Sequence, residues 1–474
     1  MRASRFACLL ALAAGLALSL PAQAAATITI VNNDGAGEGF NDPTAVLPIG
    51  NNAGATLGQQ RLNAFNFVAS LWGARITSTQ TILVRAQFDA QTCGASGAVL
   101  GSAGTVTVHR DFAGAPFGAT WYHAALANKL TASDLDPTNP DINATFNSAI
   151  DTACLPGTVG WYYGLDGLAP ANTIDIVPVL LHEIAHGLGF SNFVNEATGA
   201  NNGGFTDAYS HFTFDNTTAK HWNVMTDPER VASAINVRNV VWDGPQVTAA
   251  ATFLSFGTPE LVINGGSLAG TYPIGPAAFG PAYTGGGLTG NVVLGVDGVA
   301  PANDACEALT NGAAINGNIC LVDRGTCAFT IKVKNCQDAG AVAALVADNA
   351  AGSPPAGLGG ADPTITIPSG RITLALGNSI KALLPAPGVN VTIRNDVSQR
   401  AGADGAGRLL LNAVDPVALG SSISHWDPIT FPNTLMEPAI NVGLPYDVDL
   451  TAPQLRDIGW GPVTPVELQG FGIE

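Results

Sequence analysis

The stretch Ile176-Val177-Pro178-Val179-Leu180-Leu181-His182-Glu183-Ile184-Ala185-His186-Gly187-Leu188-Gly189-Phe190 decides how the rest of this 474-residue chain is read. Its apolar residues recur at helical spacing, which predicts a helix over Asp175–Leu188 that starts near Thr173 and ends at a glycine. His182 and His186 are four apart. On a helix they share one face, one turn apart, and can bind one Zn²⁺. Glu183 sits beside the first histidine, where its carboxylate reaches a water on the metal rather than the metal itself. Zinc draws the pKa of such a water toward neutrality, and Glu183 would take its proton as it attacks a carbonyl. The chain holds only seven histidines, so the motif is a specific signal. A surface pair of helical histidines is the plain alternative, and the apolar setting argues against it.

A catalytic zinc needs a third protein ligand and one open position. In the extended form of this motif a histidine stands three residues after the glycine, and here that place is Asn192. Five histidines remain. His109 and His123 read as ordinary polar positions in strand- or loop-like segments. His211 and His221 lie nearer the helix, in Ser210-His211-Phe212-Thr213 and Lys220-His221-Trp222-Asn223. His425 is the better candidate because Ser424-His425-Trp426-Asp427 is followed by Asn433-Thr434-Leu435-Met436-Glu437-Pro438, and Met436 is one of three methionines. A glutamate third ligand would have to be Glu196 or Glu229, neither of which sits in a convincing helical motif.

The rest of the chain sets the context. Arg2 and Arg5, the apolar run Phe6–Leu20 and Ala22-Gln23-Ala24 have the order of a cleaved export signal. Cleavage near Ala24 would leave 474 − 24 = 450 residues, secreted or periplasmic and without a membrane anchor. Lys+Arg number 19 against Asp+Glu 36, a charge of −17 that becomes −17 − 2 = −19 without the signal, which argues against nucleic acid as a partner. Of seven cysteines Cys8 leaves with the signal, and six in an exported chain suggest three disulfides. Cys93–Cys154 is the natural first pair, while the pairing among Cys306, Cys320, Cys327 and Cys336 stays open.

Periodicity predicts strands at Thr27–Val31 and Thr81–Phe88, a helix over Leu57–Leu71, and a further strand at Thr105–Val108. After about Ala250 the composition turns rich in Gly, Pro and Ala. Two strand–helix–strand units follow: Asn318–Val322, Ala328–Ala339 and Ala341–Ala347, then Thr364–Pro368, Leu376–Leu384 and Val389–Arg394. Together they read as a separate module.

Two resemblances emerge from these residues. His182 to Phe190, Ser424 to Pro438 and Leu450 to Trp460 resemble the leishmanolysin type of metzincin. The resemblance implies His182, His186 and His425 as zinc ligands, Glu183 as catalytic base, Met436 in a methionine turn and a closing helix over Thr451–Ile458. The separation 425 − 192 = 233 residues is far more than a loop. Most of it is the module, which resembles the protease-associated (PA) domain through Leu321-Val322-Asp323-Arg324-Gly325-Thr326-Cys327-Ala328-Phe329, Lys332-Val333-Lys334-Asn335 and Ala339-Gly340-Ala341. In that helix Ile331, Val333 and Ala339 are expected to pack on a sheet while Lys332 and Lys334 face water. Ile367-Pro368-Ser369-Gly370 resembles a PA-domain loop that would touch peptide or simply turn the chain.

The expected fold is therefore α+β: a metzincin-like catalytic domain, with a twisted mixed sheet, an active-site helix and a split C-terminal subdomain, interrupted by an α/β PA domain. The expected boundaries are 1–24 signal, 25–257 first catalytic part, 258–396 PA insertion and 397–474 second catalytic part. The expected function is a secreted zinc endopeptidase acting on protein or peptide, with Thr105–Val108 as the edge strand that holds substrate by β-augmentation. The alternatives are a zinc aminopeptidase or glutamate-ligand metallopeptidase, and an exported non-catalytic binding protein with a PA module. Asn32–Asp42 and Asn201–Asp207 offer oxygen ligands suited to Ca²⁺, though solvated turns explain the same composition.

Overall fold

The computed structural model describes residues 25–94, 97–386, 388–441 and 443–461; the expected signal segment lies outside them. Four strands form the first sheet, β1 (Ile28–Asn32), β2 (Ile82–Asp89), β3 (Gly101–Thr105) and β4 (Ile142–Asn147). Their order is β1-β2-β4-β3. β1, β2 and β4 run parallel, with Val84 opposite Ile142, and β3 closes the edge antiparallel to β4 with Ala103 opposite Ala144. Helix α1 (Leu57–Gly73) is capped by the Thr56 side chain, which accepts from the Gln59 N–H. Helix α2 (Ile176–Leu188) is the histidine helix.

Inner faces of the sheet and both helices meet in one apolar core. Phe65, Val68 and Trp72 of α1, Val84, Ala86 and Phe88 of β2, and Val177, Leu181 and Ile184 of α2 are all buried there. The same core takes in Leu409, Trp426, Met436, Leu455 and Trp460. It is thus assembled from both ends of the chain, and the intervening residues build other clusters.

The intervening residues form an eight-stranded sheet. In chain order its strands are β5 (Phe256–Ile263), β6 (Gly270–Pro273), β7 (Gly275–Pro276), β8 (Leu288–Leu294), β9 (Ile319–Asp323), β10 (Ala343–Ala347), β11 (Ser369–Ile372) and β12 (Asn390–Arg400). The spatial order is β6-β5-β12-β8-β9-β10-β11-β7. Helix α3 (Phe329–Asp338) crosses over between the parallel strands β9 and β10, and α4 (Leu374–Lys381) leads from β11 to β12, which runs antiparallel to β8. The chain enters through β5 and leaves through its antiparallel neighbour β12, so the ends of the insertion are adjacent. The module also touches the rest of the chain through an isolated bridge in which Ser353 and Asp415 exchange backbone hydrogen bonds of 2.7 and 2.8 Å.

The architecture is mixed α+β, and several local expectations are corrected. The edge strand is Gly101–Thr105, not Thr105–Val108, because β3 pairs with β4 while the chain beyond Val106 turns into a separate short ladder at Val108–His109. The strand expected at Thr364–Pro368 begins at Ser369. Ser369 and Gly370 lie in this buried strand, with the Tyr283 hydroxyl against Gly370, so half of the expected loop is strand.

Lys332 is fully buried and Ile331 is 45% exposed, the reverse of the expected facing. The Cys320–Cys336 disulfide ties the 332/333/336 face of α3 to β9, which sets the helix phase. The Lys332 ammonium is then satisfied by the Asp304 carbonyl and lies 3.7 Å from the Asp304 carboxylate. The other disulfides are Cys93–Cys154 and Cys306–Cys327. Among the described residues no helix is long and apolar enough to cross a membrane.

Candidate metal centre

Local sequence explains how α2 presents its histidines. The Asp175 carboxylate caps the helix by accepting from Val177 N–H at 3.1 Å. At the other end Gly189 adopts φ 133°, a conformation that favours glycine, and a Cβ there would meet Ile458 at 2.5 Å. The chain therefore turns sharply, and Phe190 O comes back to within 2.7 Å of His186 Nδ1.

His182, His186 and His425 converge, with their ring nitrogens within one metal-sized cluster. His182 Nε2 lies 3.2 Å from His425 Nε2 and 3.2 Å from His186 Nε2. Each opposite nitrogen faces a backbone carbonyl: His182 Nδ1 to Leu435 O at 2.7 Å, His186 Nδ1 to Phe190 O at 2.7 Å and His425 Nδ1 to Ser421 O at 2.9 Å. A carbonyl only accepts, so each Nδ1 carries the proton and each Nε2 presents a lone pair. Burial pushes His182 down to about 3 and His186 to about 4, and, with its neighbours, holds His425 well below its ordinary value, so the rings are neutral. Three neutral lone pairs at this spacing cannot hydrogen-bond one another. They fit a cation, because tetrahedral ligands about 2.0–2.1 Å from zinc lie about 3.3 Å apart.

Glu183 is not one of the clustered ligands but lines the same cleft as they do. Its Oε2 accepts from the Ala103 N–H at 3.0 Å, which sets it between α2 and the edge strand. Burial pushes its carboxyl up to about 7, against the lowering effect of that bond. The bond also shows that Ala103 turns its N–H away from β4 and toward the helix, so the outer edge of β3 borders the site.

Met436 is fully buried, and its carbonyl accepts from Trp426 N–H at 2.8 Å. The turn around it thereby reaches two of the histidines, His182 through the Leu435 carbonyl and His425 through its chain neighbour Trp426. Ile423 supports the same loop at φ 65°, a strained value for a β-branched residue, fixed by the Tyr209 hydroxyl donating to its carbonyl at 2.9 Å.

The remaining sequence candidates do not join the cluster. His211 spends both ring nitrogens on Thr120 and Asn223, and His221 pairs with Asp243 at 2.9 Å. His123 meets Ser191 at 2.8 Å and His109 meets Thr107 at 3.2 Å. Glu229 closes the capping box of helix Asp227–Ala234 and pairs with Lys220. Glu196 accepts from Asn192 Nδ2 at 3.0 Å. In the Asn32–Asp42 loop the Asp34 carboxylate is taken up by Phe40 and Phe88 N–H groups. In the second loop Asp207 accepts from Phe193 and Ser210 N–H groups. Neither loop contributes to a group of three His, Cys, Asp or Glu ligands among the described residues.

The cluster opens into a cleft of about 1080 Å³. Its lining takes in residues around the start of α2, among them Ala169, Thr173, Asp175 and Pro178, and residues past the helix's C-terminal exit, among them Asn192 and Glu196, with Leu419, Gly420 and Ser424. His182 and His186 lie in sequence between these two groups, and both line the same cleft with His425. Sequence reasoning missed Ala103 and the three orienting carbonyls. Backbone acceptors leave no residue-type signal, and only the Phe190 carbonyl, one turn past His186, was within reach of a local argument.

A family model described as the PA domain matches residues 288–380. Among curated proteins, the ER degradation-enhancing alpha-mannosidase-like protein 3 of Xenopus laevis is 48% identical over 48 residues, which is 10% of this chain and 5% of that protein. Vacuolar-sorting receptor 1 of Pisum sativum is 35% identical over 124 residues, 24% of this chain and 20% of that protein. The chain thus spans only a small part of these relatives. An aminopeptidase from Aneurinibacillus sp. strain AM-1 superposes with a TM-score of 0.23 at 23% identity, over 30% of this chain and 31% of its own. A zinc aminopeptidase from Bacillus subtilis gives 0.22 at 19%, over 31% and 35%. Superpositions at that level carry no argument about the histidine cluster. The family match agrees with the strand–helix–strand architecture of the insertion: the chain contains a PA domain.

Proposed function

We propose that the chain is an exported zinc-dependent endopeptidase, with a leishmanolysin-like metzincin catalytic domain split by the PA domain. The observation that carries the reading is the convergence of three buried, neutral imidazoles whose Nδ1 atoms are each committed to a carbonyl. His182, His186 and His425 would hold the metal, and such an arrangement leaves one coordination position free for chemistry. When bound, the metal supplies Lewis acidity, polarising a carbonyl and making water nucleophilic at neutral pH. Glu183 accepts the proton of the attacking water and returns it to the leaving amine. The outer edge of β3 aligns an extended peptide over α2, beside the Glu183 carboxylate that the Ala103 N–H holds. The Met436 turn keeps Leu435 O on His182.

Residues at the start of α2 and residues past its C-terminal exit line one cleft with the three histidines, an arrangement suited to a peptide that runs past the metal in both directions. The aminopeptidase alternative requires the cleft to end near the metal. The glutamate-ligand alternative requires Glu196 or Glu229, both engaged elsewhere.

The test is metal content and hydrolysis of N-terminally blocked and free peptides. Parent protein should bind one zinc and cleave both. Glu183→Ala should keep zinc and lose turnover, and His425→Ala should lose zinc. A His425→Ala variant with normal zinc and activity overturns the proposal, and cleavage confined to free N-termini selects the aminopeptidase.

A further inference from the structure

A second group of potential metal ligands lies in the PA domain, in the loop between β8 and β9. Asp297, Asp304 and Glu307 each offer a carboxylate oxygen, and these oxygens all lie within 4.8 Å of one another. Acidic clusters on a surface usually mean no more than solvated charge. Two members of this one are inside the protein: Asp297 is 4% exposed and Asp304 2%, with Glu307 exposed at the rim.

Each buried acid has one satisfied oxygen. Asp297 Oδ1 accepts from Val299 N–H at 3.0 Å, and Asp304 Oδ1 accepts from Cys306 N–H at 3.1 Å. The second oxygens differ. Asp297 Oδ2 is buried and has no hydrogen-bond partner among the described residues. Asp304 Oδ2 lies 3.2 Å from Cys306 Sγ, but that sulfur is bonded to Cys327 and has no proton to give. The Lys332 ammonium stands 3.7 Å from the Asp304 carboxylate and donates to the Asp304 carbonyl instead. Asp297 and Glu307 have no Lys, Arg or His within ion-pair distance among the described residues. One ammonium thus faces three carboxylates, and a buried carboxylate oxygen without a donor carries an uncompensated desolvation cost.

We propose that Asp297, Asp304 and Glu307 form a structural Ca²⁺ site in the PA domain, independent of the metal at the histidines. All three donors are carboxylate oxygens, with no imidazole or thiolate among them, which selects a hard cation over zinc. Two oxygens about 2.4 Å from one Ca²⁺ are at most about 4.8 Å apart, and every pair here meets that limit. The exposed Glu307 leaves room for water to complete the irregular shell that Ca²⁺ accepts and Mg²⁺ does not. The ion would fasten this loop beside the Gly325 turn, where a Cβ would stand 2.3 Å from Asp304 Oδ2.

The experiment titrates the full chain, dialysed into calcium-free buffer, with CaCl₂ by calorimetry. Thermal unfolding is followed in parallel without divalent ions, with Ca²⁺ and with Mg²⁺. One Ca²⁺ should bind with a Kd of about 0.1–1 mM, as in extracellular modules, and about 10 mM should raise the unfolding midpoint by a few degrees. Asp297→Asn keeps the shape and removes the unpartnered charge. It should weaken Ca²⁺ binding at least about tenfold and abolish the calcium-dependent shift, with a calcium-free midpoint no lower than the parent's. Glu307→Gln lies on the surface, so its fold is safe, and it should weaken binding about threefold or more with the calcium-free midpoint unchanged. Absence of Ca²⁺ binding at about 10 mM, or undiminished binding in both variants, overturns the inference. An equal response to Mg²⁺ overturns the choice of ion.

Discussion

Gly187→Ala is the substitution whose sign the structure decides most sharply. Gly187 lies in α2, one residue after His186, where alanine should gain up to about 1 kcal/mol of helix propensity. A Cβ there would stand 2.6 Å from Ile142 Cγ2 and 2.8 Å from both Cγ1 and Cδ1. Carbon atoms pack at about 3.5–4.0 Å, so roughly 1 Å of displacement is needed. Ile142 cannot supply it cheaply. It is fully buried, branched at Cβ, and sits on β4 between β2 and β3.

Overpacking of this kind costs about 1–3 kcal/mol, which exceeds the propensity gain, so a net loss of about 1–2 kcal/mol is expected. The displacement also matters for the metal. α2 would lift from the sheet while His425 stays tied to Ser421, and metal–ligand distances tolerate only about 0.2 Å. Zinc affinity should therefore fall along with stability. Urea unfolding and chelator competition measure the two effects. Ile142→Ala by itself leaves a cavity and should cost about 2–5 kcal/mol, but the double variant should be more stable than the sum of the singles by about 1 kcal/mol or more. A Gly187→Ala protein as stable as the parent with unchanged zinc affinity, or a strictly additive cycle, would refute the packing argument.

Asp449 accepts from Leu435 N–H at 2.6 Å while Leu435 O holds His182, so Asp449→Ala should weaken zinc binding about tenfold in a chelator titration, and unchanged affinity would show that the turn holds itself. Lys332→Ala leaves the buried Asp304 carboxylate without its cation and should cost about 3 kcal/mol in denaturant unfolding; a loss below about 1 kcal/mol would count against the buried pair. Burial pushes Glu437 up to about 7 from 4.5, so its protonated form favours the fold and that contribution is lost as pH rises from about 4.5 to about 7. In metal-free protein, Glu437→Gln should then gain on the parent by up to about 3 kcal/mol across that range, and a pH-independent difference would exclude the linkage.

Legibility in the sequence followed the range of the interactions. α2 was readable because its capping aspartate, apolar face and terminal glycine all lie within fifteen residues. β9, α3 and β10 were readable within a residue or two for the same reason. The facing of α3 was not. Lys332 and Ile331 are adjacent, and the inward position was set by a disulfide to β9 rather than by hydrophobicity. Likewise, no pattern in Gly101-Ser102-Ala103-Gly104-Thr105 marks an edge strand, since small residues carry little propensity and the strand exists by pairing with β4.

The opening helix shows where the division falls. By itself the sequence determined two histidines on one face, a glutamate beside them and a glycine that ends the helix, because 3.6-residue periodicity and capping act locally. Tertiary structure brought His425 to 3.2 Å from His182 across 243 residues, turned every Nδ1 toward a carbonyl, and set Ala103 over Glu183. Those contacts depend on one core drawing in both ends of the chain around an inserted sheet. Such packing is a property of the folded whole, and backbone carbonyls leave no trace in the identity of the residues that carry them.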